Sequence, residues 1–484
     1  MRHVLSSRRQ FLRAATSTAA LMACPPLLAA RNRLPNIVLI MADDLGWREL
    51  GCYGQKHIRT PHIDQLAAEG MRFEQFYAGA AVCAPSRCIL MTGKHGGHAS
   101  VRDNYEVKNP AKGIFGGQFP LPAGETTMAE VLRAKGYATG CFGKWGLGGP
   151  GTEGGPLSQG FDTFYGFNCQ RHAHNLYPRY LVHDLKNEPL AGNTRGRTGQ
   201  TYGPQRIADE MLEFVRKSGD RPFFLYYPTV IPHLALQVPD EEMKPYLDAW
   251  QETPYKGRSY QKHDTPKACY AAMITFLDKQ VGRLMATLRK QGVDRDTLVI
   301  FTSDNGTTHL KAQVDYTFFE SVGPLRGLKG SLYEGGIRVP MVARWPGRIP
   351  TGSVTNQLGI GYDFLATFAE IVGAPSPAGC DGASLLPTLL GKPLAQTQHQ
   401  YLFWDFAGYG GQLAVRMGKW KGIRRGIRKK PDAPLELYDL EADIGEKEDV
   451  AARHPKIAAQ IAEIMHTART EPTIARYRFG EYGG

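Results

Sequence analysis

Three uninterrupted apolar runs constrain this chain more than anything else in it. They are Pro35-Asn36-Ile37-Val38-Leu39-Ile40-Met41, Pro222-Phe223-Phe224-Leu225-Tyr226-Tyr227 and Thr297-Leu298-Val299-Ile300-Phe301-Thr302. Each has the length of a strand, and none alternates with polar residues. Both faces must therefore be covered, as in the centre of a parallel sheet. Helical patterns at 60–69, 126–134, 204–217, 268–291 and 363–372 separate further strand-like runs at 73–77, 137–142 and 341–345. This alternation predicts the α/β class: a large, mixed, mostly parallel sheet sandwiched by helices. Beyond 395 the pattern changes to short strands at 401–404, 412–416, 420–423 and 435–438, then one helix at 454–468. We expect a main domain over 31–395 and a small C-terminal α+β domain with an antiparallel sheet over 396–484.

The first 30 residues read as an address rather than as fold. Ser7-Arg8-Arg9-Gln10-Phe11-Leu12-Arg13 followed by an apolar stretch is the pattern of a twin-arginine signal peptide. Leu21-Met22-Ala23-Cys24 also matches a lipoprotein box, which makes Cys24 a candidate lipidated residue. The expected destination is the periplasm or the medium, reached through the twin-arginine export machinery. No later stretch is apolar enough for a transmembrane segment. The net charge of +12 favours an acidic substrate, while no nucleic-acid motif accompanies it. The basic run 419–430 is expected to be a solvated hairpin. Eight cysteines are scattered without C-x-x-C or zinc spacing, so thiolate metal chemistry is not indicated.

The chemistry gathers where strands end. Asp43 and Asp44 follow the first apolar run, and Asp304 and Asn305 follow the third. Strand ends of open α/β sheets are where ligands bind, and adjacent like charges are best explained by a cation. Either pair alone could be an ordinary solvated turn. Together they form a hard-oxygen set suited to Ca²⁺ in preference to Mg²⁺. Lys144 in a Gly-rich loop, Lys329, and His233 after the second run add groups that hold and stabilise an oxyanion. The segment from Cys83 to Lys94, Cys-Ala-Pro-Ser-Arg-Cys-Ile-Leu-Met-Thr-Gly-Lys, reads as a loop entering a buried helix. Pro85 fits the first turn, and the dipole and Arg87 point at Cys83, which should make that thiol unusually reactive. The long segment 149–203, with Gln170 and His174, and the loop 306–325, with His309 and Asp315, are the stretches best placed to touch a substrate.

These motifs resemble, in order and over most of 35–470, those of the formylglycine-dependent type I sulfatases of the alkaline-phosphatase superfamily. The matching segments are A-D-D-L-G-W, C-A-P-S-R with T-G-K, G-K-W-G-L-G, I-P-H-L, T-S-D-N-G, K-G-S-L-Y-E-G-G-I-R-V-P and L-Y-D-L. The resemblance implies an arylsulfatase-like sulfuric ester hydrolase with an alkaline-phosphatase-like fold. It implies that a formylglycine-generating or radical maturation enzyme converts Cys83 to Cα-formylglycine. One hydroxyl of the hydrated aldehyde would attack sulfur and displace the alcohol; the other would later expel sulfate. Asp43, Asp44, Asp304 and Asn305, with the residue at 83, would hold Ca²⁺. Arg87 would orient the diol, Lys144 and Lys329 would bind sulfate, and His233 would protonate the leaving alcohol. The family frequently has His two places after the lysine of G-K-W, where this chain has Gly146; His174 and His309 are the candidate substitutes.

The resemblance further implies aryl sulfates as surrogates and sulfated sugars as natural substrates, with exo-acting removal of sulfate from a galactose-type or amino-sugar residue. Two alternatives stand beside it. One is a phosphodiesterase or phosphonate monoester hydrolase on the same scaffold. The other is a non-catalytic carbohydrate-binding relative in which Cys83 stays a thiol.

Overall fold

A computed structural model describes residues 33–109 and 114–481. The signal-peptide and Cys24 readings lie outside the described residues. The described core is a ten-stranded sheet. Its order is Ser353–Thr355, Met71–Phe73, Met341–Arg344, Thr297–Ser303, Asn36–Asp43, Phe223–Pro232, Ala138–Lys144, Thr163–Phe167, Tyr180–His183 and Lys186–Pro189. The five strands from Thr297–Ser303 to Thr163–Phe167 run parallel to their neighbours, and antiparallel strands join on both sides.

The apolar runs lie in the middle of this sheet for the reason their composition suggests. Every residue of Asn36–Asp43, Phe223–Pro232 and Thr297–Ser303 is buried. Val38, Ile40 and Ala42 face a core built with the helices Pro61–Ala68, Gly203–Lys217 and Pro266–Lys290. From the other face Phe224 meets Phe368 of the helix Asp363–Ile371, with ring centroids 5.9 Å apart. Helix starts follow local chemistry: Pro opens 61–68 and 266–290, and Thr127 with Glu130 forms a reciprocal capping box at Met128–Ala134.

A separate antiparallel sheet follows, in the order Leu402–Phe406, Gln412–Met417, Trp420–Arg425 and Glu436–Asp439. The helix Pro455–Thr467 packs on it. Among the described residues no helix is long and apolar enough to cross a membrane, and every cysteine from Cys52 to Cys380 is unpaired.

Three expectations change. The run 73–77 is not one strand: Met71–Phe73 belongs to the large sheet, whereas Phe76–Tyr77 pairs with Gly359–Ile360. The Arg338 guanidinium holds the Glu74 carbonyl at the crossing. The segment 149–203, whose crowded Gly, Asn, Arg and His residues read as one long irregular loop, carries the strand Thr163–Phe167 and the hairpin Tyr180–His183/Lys186–Pro189 that extend the main sheet. The basic run 419–430 is not simply solvated. Lys421 is wholly buried, 2.8 Å from Glu334 and 2.9 Å from Glu446, because its strand turns that side chain inward onto two carboxylates.

Candidate active site

Four neighbouring parallel strands deliver their ends to one place. Asn36–Asp43 ends at Asp43 and Asp44, Thr297–Ser303 leads to Asp304 and Asn305, Phe223–Pro232 leads to His233, and Ala138–Lys144 ends on Lys144. Register aligns them: Asp43 pairs with Pro232 and Ala42 with Ser303. This is the carboxyl edge of a parallel sheet, where the backbone stops and side chains take over.

Cys83 stands at the start of the wholly buried helix Cys83–Thr92. Val82, the residue before it, offers no side-chain cap. A distant residue supplies one instead, Asn104, whose Oδ1 accepts the Ala84 N–H at 2.7 Å. Cys83 Sγ lies 3.4 Å from Asp43 Oδ1 and 3.5 Å from Lys329 Nζ. Lys144 Nζ donates to Asp43 Oδ2 at 2.6 Å, and Lys329 Nζ donates to Asp44 Oδ1 at 2.6 Å. Arg87 directs its hydrogen bonds to Asp304 Oδ2 (2.9 Å), Asp43 Oδ2 (3.3 Å) and the Lys144 carbonyl (2.5 Å). It therefore braces the carboxylates, which are stronger acceptors than a neutral thiol. Asp44, in a left-handed conformation (φ 65°), accepts from Asn305 Nδ2 at 2.8 Å. His233 Nδ1 lies 2.5 Å from the Leu234 carbonyl. A carbonyl only accepts, so Nδ1 carries the proton and Nε2, 3.7 Å from Asp44 Oδ2, keeps a lone pair.

Burial dominates the electrostatics. Desolvation and the Asp43 charge push the Cys83 thiol up to about 12, despite Lys144 and Lys329. Burial thus favours the thiol over the thiolate, against the pull expected from the helix dipole and Arg87. Burial raises Asp44 against the pull of Lys329, and burial with Asp43 raises Asp304 to about 6. Burial also lifts Asp43, but Lys144, His233, Arg87 and Lys329 together hold it well below the usual carboxylate range. Burial drives His233 well below the ordinary imidazole value, helped by Lys329.

Donor atoms of Asp43, Asp44, Cys83 and His233 all lie within 4.8 Å of one another. Beside them Asn305 Oδ1 is buried with no hydrogen-bond partner. A buried acceptor left alone costs free energy. Together with three crowded carboxylates, it fits a hard divalent cation. The set is oxygen-rich, which fits Ca²⁺ or Mg²⁺ and not a thiolate-bound metal.

The remaining predicted residues divide. His174 stacks on His233 with centroids 5.3 Å apart and planes 13° apart, and burial, His233 and the two lysines lower it to about 2. His309 lines a cavity with Lys329. Gln170 lies over Gly146, where an added Cβ would come within 2.5–2.7 Å of its amide atoms. Both of those amide atoms are buried without partners. Asp315 pairs instead with Lys267 at 3.5 Å and accepts the Phe318 N–H. Sequence reasoning missed Asn104, and also Tyr409, which lines the cavity beside His309 and Lys329. The run Gly408-Tyr409-Gly410-Gly411 was the available signal for the latter.

Known proteins place this geometry. The sulfatase profile matches residues 35–374, and the profile for the C-terminal part of N-sulphoglucosamine sulphohydrolase matches 328–471. Human arylsulfatase A is 36% identical over 410 residues, covering 80% of this chain and 74% of the relative. The N-acetylgalactosamine-6-sulfatase of Canis lupus familiaris is 32% identical over 402 residues, covering 80% and 71%. The crystal structure of Ps i-CgsB in complex with k-i-k-neocarrahexaose superposes with a TM-score of 0.76 at 28% identity, over 90% of this chain and 92% of that one. With strand ends, charged ring and sequence in agreement, the chain belongs to the sulfatase family of the alkaline-phosphatase superfamily, and is a sulfuric ester hydrolase.

Proposed function

We propose that this sulfatase removes sulfate from sulfated carbohydrates, with Cys83 matured to Cα-formylglycine and a Ca²⁺ ion held by Asp43, Asp44, Asp304 and Asn305. The observation that carries the reading is the position of Cys83 between Asp43 and Lys329, at 3.4 and 3.5 Å, inside a ring whose Asn305 Oδ1 has no partner. A protonated, buried thiol is a poor nucleophile, which supports conversion of the side chain before use. The names of two relatives support a sugar substrate: one is an N-acetylgalactosamine-6-sulfatase and the other was solved with a neocarrahexaose. We keep galactose-type or amino-sugar sulfates as the preferred class. Export by the twin-arginine route to the periplasm or the medium, with Cys24 as an alternative lipid anchor, rests on the sequence of 1–30.

In this reading the matured residue supplies the oxygen nucleophile, and the cation, when bound, polarises the sulfate and lowers the proton affinity of that nucleophile. The chain's own groups do the rest. Lys329 stands beside both Asp44 and Cys83, so it can pass from the carboxylate to a sulfate oxygen when substrate enters. Lys144, bonded to Asp43 on the other side, grips a second oxygen. Two fixed cations stabilise the charge that grows on the sulfuryl group in the transition state. Arg87 bridges Asp43 and Asp304 and keeps the two strand ends at a set distance. His233, fixed as the Nδ1–H tautomer by Leu234, presents an Nε2 lone pair that can take the proton shed by the attacking hydroxyl and pass it to the leaving alkoxide oxygen. The stacked His174 holds that ring's plane.

The test is turnover of matched pairs of 4-nitrophenyl sulfate and phosphate esters, and of N-acetylgalactosamine 6-sulfate, by protein from a host that matures cysteine to formylglycine. Preferential release of sulfate supports the reading. Preferential hydrolysis of the phosphate partner would move the protein to the phosphodiesterase or phosphonate-hydrolase branch.

A further inference from the structure

Tyr409 is a large aromatic residue at 62% exposure, in the left-handed backbone region (φ 47°). For a bulky side chain that conformation is an outlier and points to a use. A plain hairpin turn would place Gly or Asn there. Here Gly408, Gly410 and Gly411 surround the tyrosine instead, and hold it out from the turn between Leu402–Phe406 and Gln412–Met417.

The ring is fixed nonetheless. It lies against the backbone of Gly330, where an added Cβ would come within 2.1 Å of a ring carbon. Phe406 meets it edge-on at 5.6 Å, and His309 at 6.0 Å. Gly330 is itself pinned from both sides: its N–H donates to the Ala81 carbonyl at 2.8 Å, and its carbonyl accepts Gln412 Nε2 at 2.8 Å. Ala81 leads into Cys83, and Gly330 follows Lys329. A short rigid path therefore joins the reacting position to an exposed aromatic ring on the C-terminal sheet. Tyr409, His309, Tyr316 and Lys329 line a solvent-open cavity of about 560 Å³, the size of a small-ligand site.

We propose that Tyr409 is the platform on which the sugar ring bearing the reacting sulfate stacks, which makes it a specificity-determining residue supplied by the C-terminal sheet. This rests on the carbohydrate-sulfate reading of the site. The face of an aromatic ring is electron-rich and attracts the C–H groups of a flat apolar surface. A pyranose with its C–H groups gathered on one face presents such a surface. Lys329, next to Gly330 in the chain, then holds the sulfate while Tyr409 holds the ring, and the two contacts together fix which hydroxyl reaches position 83.

The experiment uses full-length Cys83→Ala protein, which cannot turn substrate over, and reads binding of N-acetylgalactosamine 6-sulfate, galactose 6-sulfate and inorganic sulfate by calorimetry. Adding Tyr409→Ala should weaken the better-bound sugar sulfate by about three- to tenfold and leave inorganic sulfate unaffected. Tyr409→Phe, which keeps the ring, should restore the sugar affinity. In the matured enzyme the same loss should fall on KM rather than kcat. Equal sugar binding with and without the ring would overturn the proposal, as would a parallel loss of inorganic sulfate, or the absence of binding by either sugar. If the matured wild type hydrolyses no sulfate ester while the sugar still binds through Tyr409, the platform stands and the hydrolytic reading falls.

Discussion

Lys329 Nζ lies 2.6 Å from Asp44 Oδ1 and 3.5 Å from Cys83 Sγ, so one ammonium spans the cation-binding carboxylates and the reacting position. Lys329→Ala should lower kcat for an aryl sulfate by roughly 10²–10³-fold, the usual loss when one preorganised donor to a developing oxyanion is removed. Steady-state kinetics check this, and a kcat within threefold of wild type would remove Lys329 from the sulfate-binding role.

The orphan Oδ1 of Asn305 and the crowding of Asp43, Asp44 and Asp304 predict that Ca²⁺ stabilises the fold as well as the reaction. At a hundredfold excess over its Kd the ion should add about 2.7 kcal/mol to unfolding, seen as a rise in melting temperature after chelation and Ca²⁺ return. Asn305→Ala should shift the half-point of that rise to higher Ca²⁺. A melting temperature indifferent to chelation would argue against a resident ion.

Gly146 sits at φ 83° with the Gln170 amide over it. Gly146→Ala should cost about 1–3 kcal/mol from backbone strain alone, plus the clash with Gln170. In a Gln170→Ala background only the strain remains, so the double-mutant cycle should show coupling of more than ~0.5 kcal/mol. Additive effects in denaturant unfolding would mean that the two side chains do not meet.

His399 Nε2 is 2.8 Å from Asp363 Oδ1. Burial pulls this imidazole down, but the Asp363 carboxylate more than offsets it, and the folded value lies above 6.5. The folded state therefore binds the proton more tightly than the unfolded chain. The stabilisation is complete below pH 6.5 and fades as pH rises through the raised folded value. His399→Gln should lose most stability at pH 6, progressively less as pH rises from 6.5 through the folded value, and little above it. A stability difference that stays flat from pH 6 to 9 would contradict the pairing.

Lys421 is buried between Glu334 and Glu446. With Arg338 and Arg416 it holds Glu334 at about 2, overcoming burial, while burial pushes Glu446 up to about 7. Lys421→Met takes the shared cation from between two buried acids, leaving Glu334 with Arg338 at 3.3 Å and Glu446 without its lysine, and should cost about 3–5 kcal/mol. Unfolding by urea measures it, and a loss below 1 kcal/mol would show that the acids protonate at little cost.

These residues mark how far the sequence could be read. The strands of the main sheet were legible because Asn36–Asp43, Phe223–Pro232 and Thr297–Ser303 are buried on both faces, and double burial writes an unbroken apolar run. Asp43, Asp44, Asp304 and Lys144 were legible because chemistry at a strand end follows that run directly. Lys421 was not, since nothing in a basic run says that one lysine faces two acids from elsewhere in the chain. Gln170 over Gly146, Asn104 capping the Cys83 helix, and Tyr409 against Gly330 were hidden for the same reason. Each is a contact between segments that are not neighbours in the chain, set by tertiary packing and not by local periodicity.

The central claim is that the side chain at position 83 is converted before it acts. The most direct measurement is the mass of the tryptic peptide from Phe73 to Arg87, taken from protein made in a host with the maturation enzyme. The account predicts the mass loss of exchanging the thiol-bearing carbon for an aldehyde, together with capture of the peptide by a hydrazide. An unmodified, alkylatable thiol in protein that nevertheless hydrolyses sulfate esters at full rate would contradict it.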